Sequence, residues 1–110
     1  METNFDELSG GLHSDARKKG FYDSLDMTDF NSQAKQLAMI HSETTEVLEA
    51  LRKSHGEEKV VEEVADILIR VFDFYGSLVA SGVVGISLDD TFDSKVNVNK
   101  TRERMHGVLG

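Results

Sequence analysis

Two acidic doublets, Glu43-Thr44-Thr45-Glu46 and Glu63-Val64-Ala65-Asp66, are where this chain can do chemistry. Carboxylates three residues apart lie about one turn apart on the same side of a helix. Two such helices packed together would gather Glu43, Glu46, Glu63 and Asp66 around one cation. Oxygen ligands at that density suit magnesium, which keeps several waters and lets a substrate phosphate complete its shell. Manganese is the alternative ion. Without a cation the acids repel one another, so either metal fills the site or one acid takes up a proton. A metal held there would neutralise charge on a phosphoryl group and generate a nucleophilic water near neutral pH. Glu46 is the residue assigned to help activate that water.

Donors for the rest of a polyphosphate are also present. Lys95, Asn99 and Arg102 follow one another at steps of four and three, which places them on one face of a helix in an otherwise acidic protein. They would supply hydrogen bonds and positive charge to phosphates lying away from the metal, with Arg102 able to make a bidentate contact.

Helices must position these groups. Thr28 or Asp29 can cap a helix that runs without Gly or Pro to Ser54 and stops at His55-Gly56. On it Leu37, Ile40, Val47, Leu48 and Leu51 form one apolar stripe, and Met39, Glu43, Glu46 and Ala50 form a second. The first doublet therefore faces protein or a cleft. The next helix begins at Glu57 or Glu58, whose charges suit a helix N-terminus, and extends to about Ala80 with Val60, Val64, Ile67, Val71, Phe74 and Leu78 on its apolar face. The short Leu51-to-Glu58 connection predicts an antiparallel hairpin, and both doublets lie roughly ten residues from its turn. A shorter helix within 3–19, interrupted by a Gly10-Gly11 break and ended by Gly20, and a helix over about 88–104 begun by a Ser87-Leu-Asp-Asp90 capping box complete an all-α domain.

Composition bounds the rest. A chain of 110 residues, 39% hydrophobic, is one small domain with one modest core. Long two-sided helices offer more apolar surface than so short a chain covers, so the core, built like a four-helix bundle, is expected to be completed by self-association. Twenty Asp and Glu against twelve Lys and Arg give a formal charge of −8, which argues against a nucleic-acid partner. The absence of cysteine excludes disulfides and thiolate metal sites. No apolar run approaches the ~20 residues of a membrane span, and the first residues lack the pattern of a signal peptide, so a cytoplasmic protein without a membrane partner is expected. His13, His41, His55 and His106 have no metal-ligand spacing and read as structural or surface residues.

These motifs resemble the MazG-like nucleoside triphosphate pyrophosphohydrolases of the all-α type. The likeness rests on ExxE followed by ExxD, here separated by the sixteen residues 47–62. It extends to the text around them, Ile40 to Arg52 and Glu62 to Arg70, and to Lys95-Val-Asn-Val-Asn-Lys-Thr-Arg102 followed by His106-Gly107, and spans roughly residues 15–107. One departure is Thr44-Thr45, where relatives often carry a small or apolar pair. The resemblance implies a single domain over 1–110 that cleaves between the α- and β-phosphates of a nucleoside or deoxynucleoside triphosphate. Its products would be a monophosphate and pyrophosphate, its metal would be held by the four acids, and its role would be cleaning of the nucleotide pool. It also implies a homodimer or homotetramer. The Lys19-Gly20-Phe21-Tyr22 run is similar to a Lys-Gly-aromatic segment that lies near the base in small members, which assigns Phe21 to the substrate. A narrower nucleotidase acting on dUTP or phosphoribosyl-ATP, and a helical interaction module without activity, are the competing readings.

Overall fold

The computed structural model describes residues 2–102; His106-Gly107 and the end of the fourth expected helix lie outside them. Four helices and no strand are present among the described residues: α1 (Phe5–Lys18), α2 (Phe30–Arg52), α3 (Glu57–Ala80) and α4 (Leu88–Thr101). The fold is all-α.

Their ends follow from local chemistry. Asp29 caps α2 by accepting from the Asn31 amide at 3.1 Å. At the end of α1, Gly20 takes φ 82°, a left-handed conformation glycine adopts without steric cost, and the Phe21 amide closes back onto the Ala16 carbonyl. Gly56, at φ 99°, turns the chain directly into α3. Only four residues separate α2 from α3, so the two run antiparallel as a hairpin.

α3 is the central element, packed against α2 on one side and α1 on the other, while α4 lies against α1. Small residues let α1 and α3 meet closely. Ser9 and Ser77 are fully buried, and a Cβ placed on Gly76 would stand 2.5 Å from the Ser9 carbonyl oxygen. Phe5 ties three helices together, stacking on Phe72 at 5.2 Å and meeting Phe92 edge-on at 4.9 Å. α1 continues through Gly10-Gly11 instead of breaking there. Glycine lowers helix propensity by only about 1 kcal/mol, and packing of the flanking residues on α3 outweighs it.

The start of α4 also differs from a local capping box. Ser87 Oγ accepts from the Asp90 amide at 3.2 Å as the motif requires. The acid that completes the cap is Asp6 of α1, which accepts from Ser87 Oγ at 2.6 Å and from the Leu88 amide at 2.8 Å.

The single chain leaves much of its apolar surface uncovered. Among the described residues, Ala16, Met27 and Ala50 are the buried hydrophobic side chains. In the α2 stripe Leu37, Leu48 and Leu51 are exposed, the last two at 61% and 58%, and in the α3 face Val64 and Val71 are exposed. Each hairpin helix therefore carries an apolar strip that no described element of its own chain covers.

Candidate metal and phosphate site

The hairpin sets the acidic stripe of α2 against a charged stripe of α3. On α3 the residues Lys59, Glu63, Asp66, Arg70 and Asp73 recur at steps of four, three, four and three, so they line one side of the helix. Oxygens of Glu43, Glu63 and Asp66 lie within 4.8 Å of one another, close enough for one cation to touch all three. Glu46 sits at the edge of this cluster, exposed, with its carboxyl against that of Glu63.

The electrostatics follow from crowding. The contact with Glu63 and the charge of Glu43 hold the Glu46 carboxyl above the usual glutamate range, because a proton there relieves the repulsion. Glu63 moves the other way, held low chiefly by the ammonium of Lys59, whose Nζ lies 2.7 Å from Glu63 Oε1. The same contact raises Lys59. Across the hairpin Arg70 Nε donates to Glu43 Oε1 at 2.9 Å. Each inner acid therefore has one oxygen engaged by a basic side chain.

The other oxygen of each is the informative one. Glu43 Oε2 and Glu63 Oε2 are buried and have no hydrogen-bond partner among the described residues. Glu63 is only 5% exposed. A buried carboxylate oxygen without a donor is costly, and a hard divalent cation is the group whose chemistry satisfies two of them together with Asp66. The donor set fits magnesium or manganese.

The cluster opens onto a cleft of about 430 Å³ lined by Glu43, Asp66, Arg70, Asp73, Lys19 and Phe21, among others. Phe21, 66% exposed, stands on the loop between α1 and α2. Its neighbour Tyr22 anchors that loop: the phenol donates to Asp73 Oδ2 at 2.7 Å and accepts from Gln36 Nε2 at 3.1 Å. Burial, then the bond to Asp73, push the Tyr22 phenol up to about 12. His13, buried, donates from Nδ1 to Asp73 Oδ1 at 3.0 Å and meets the Tyr22 ring edge-on, a structural placement for this histidine.

Lys95 and Asn99 stand on α4, and Arg102 directly follows it. Lys95 lines a shallow depression with Asp90, Thr91, Ser94 and Val98, all from α4 itself, and Arg102 is the residue at which α4 ends. None of the three lines the cleft that holds Glu43 and Asp66. Lys59, Arg70 and Asp73 went unassigned from the sequence. The signal that could have found them is the heptad-like continuation of the Glu63–Asp66 stripe in both directions along α3.

Among the described residues no helix is long and apolar enough to cross a membrane. No curated protein and no solved structure is a significant match to the chain. The MazG nucleotide pyrophosphohydrolase domain matches residues 31–109, which takes in all of the hairpin but its first residue, both acidic doublets and α4. With that match over most of its length, the chain belongs to the MazG nucleotide pyrophosphohydrolase domain family.

Proposed function

We propose that the protein is a magnesium-dependent pyrophosphohydrolase of nucleoside or deoxynucleoside triphosphates, cutting between the α- and β-phosphates to leave a monophosphate and pyrophosphate. The observation that carries this reading is the pair of buried, unpartnered oxygens of Glu43 and Glu63, which meet Asp66 at the edge of a cleft. Family membership supports the substrate class.

In this reading Glu43, Glu63 and Asp66 hold the ion, with Glu46 completing the set. Magnesium, or manganese in its place, supplies charge neutralisation at the phosphates and an acidified water. Glu46, exposed at the rim of the cluster, accepts the proton of the water that attacks phosphorus, while the bond from phosphorus to the bridging oxygen breaks and pyrophosphate departs. Phe21, which lines the same cleft, offers an aromatic face to the base. Lys95, Asn99 and Arg102 are assigned to the outer phosphates on the strength of the family resemblance. The uncovered apolar strips of α2 and α3 favour a homodimer or homotetramer as the working form. Clearance of unwanted nucleotides is the role that the family resemblance implies.

Magnesium titration and pyrophosphate release from a panel of nucleotides, on the native chain, Glu43→Gln and Asp66→Asn, test the proposal. Loss of both ion binding and turnover in the variants is expected. Magnesium affinity unchanged by either substitution would turn the reading toward an interaction module without activity. Release from dUTP or phosphoribosyl-ATP alone would narrow the substrate.

A further inference from the structure

Arg70 and Lys59 occupy positions where a cation belongs. Each donates to one oxygen of an inner acid, Arg70 to Glu43 and Lys59 to Glu63, while the second oxygen of each acid is buried without a partner. The two basic groups differ in where they stand. Arg70 lines the cleft together with Phe21 and Asp66, whereas Lys59 does not line it. An ion drawing on Glu43 competes with the guanidinium for that carboxylate's charge, and a guanidinium displaced in a cleft is a planar, permanently charged fork suited to phosphate oxygens.

Building on the function proposed above, we infer that Arg70 is an exchangeable counter-ion: it neutralises Glu43 until a divalent cation binds, and is then released to bind the substrate's phosphates. Lys59 neutralises Glu63 in the same way but stays outside the cleft, so it tunes ion affinity alone. Ion binding thereby creates the phosphate site, and the two ligands bind with positive coupling. By linkage, phosphate then strengthens ion binding by the same factor.

The test uses the full chain, Mn2+ alone and then inorganic pyrophosphate at saturating Mn2+, both by calorimetry. Arg70→Gln is expected to tighten Mn2+ about fivefold or more and to weaken pyrophosphate by at least about tenfold. Lys59→Gln should tighten Mn2+ and leave pyrophosphate unchanged. Lys19→Gln removes a charge that lines the same cleft without pairing to the acids, and should leave Mn2+ affinity within about twofold; an effect as large as that of Arg70→Gln would reduce the claim to a general field effect and overturn it.

A measurement on the native chain guards against misfolding of the variants. The Arg70 Nε–H resonance, identified by its loss in Arg70→Lys, should shift on Mg2+ addition and shift again with pyrophosphate. A resonance that stays fixed while Mg2+ fills the site shows that Arg70 never leaves Glu43, and overturns the inference while sparing the proposed function. If the native chain binds neither Mg2+ nor Mn2+, both fall.

Discussion

Asp6 and Asp89 exchange helix ends: each belongs to the first turn of its own helix and caps the other. Asp89 Oδ1 accepts from the Phe5 amide and the Thr3 hydroxyl, both at 2.6 Å, at the start of α1. Asp6 accepts from Ser87 Oγ and the Leu88 amide at the start of α4. Two carboxylates thereby serve the free amides of two helices whose N-termini are brought side by side, and the pair fixes α4 onto α1.

Replacing Asp6 by Ala should therefore destabilise the fold by about 1–2 kcal/mol, the range for loss of a helix cap, and loosen α4. Urea denaturation measures the first effect, and faster amide exchange of Leu88 reports the second. Unchanged exchange at Leu88 would mean that α4 is held by other contacts.

Acid should undo the same joint. The Thr3 hydroxyl first, then the Phe5 and Asp6 amides, hold the Asp89 carboxyl below the ordinary aspartate range. A carboxyl lowered on folding adds stability that is present above the unfolded value of about 3.9 and lost as pH falls through the lower folded value. The melting temperatures of native chain and Asp89→Asn should thus differ at pH 6 and converge below about pH 4. A gap that persists at low pH would show that charge is not what Asp89 contributes.

Glycines of opposite effect stand on the two helices of the α1–α3 crossing. Gly76→Ala drives a methyl toward the Ser9 carbonyl at 2.5 Å and His13 Cβ at 2.9 Å, and should cost about 1–3 kcal/mol as the α1–α3 crossing is forced apart. Gly11→Ala meets nothing within 4 Å in mid-helix, and should stabilise by about 0.5–1 kcal/mol. Thermal melts of the two variants should move in opposite directions.

The Tyr22–Asp73 bond gives an alkaline counterpart. A phenol raised to about 12 on folding contributes stability that is complete below its unfolded value, about 10, and declines as pH rises through the folded one. Tyrosinate absorbance should show Tyr22 ionising near that value, and Asp73→Asn should bring the transition down. Tyr22→Phe should raise KM more than it lowers kcat, because it frees the loop that carries Phe21.

Self-association is tested at Leu48 and Leu51, which stand exposed on the outer strip of α2. Leu48→Lys with Leu51→Glu should shift sedimentation velocity from an oligomer to the single chain and lower the melting temperature. A native chain that sediments as a monomer at micromolar concentration would remove the oligomer from the proposed function.

The four helices were legible because their signals are local. An apolar period, an acid at a first turn and a glycine at a turn act within four or five residues, and Asp29, Gly20 and Gly56 end or begin helices where the sequence predicts. The Gly10-Gly11 break was misjudged on the same local grounds, since the force that carries α1 through it comes from α3. The doublets were legible as well, being a spacing within one helix repeated after a short turn.

What the chain determined alone is an all-α hairpin with acids on its inner stripes, because periodicity and turn chemistry are written in neighbouring residues. The tertiary structure decided which groups meet across helices: Arg70 with Glu43, Tyr22 and His13 with Asp73, and Asp6 with Asp89 from the opposite end of the sequence. Such pairings depend on how whole helices cross and rotate against one another, a property of packing that no local spacing encodes.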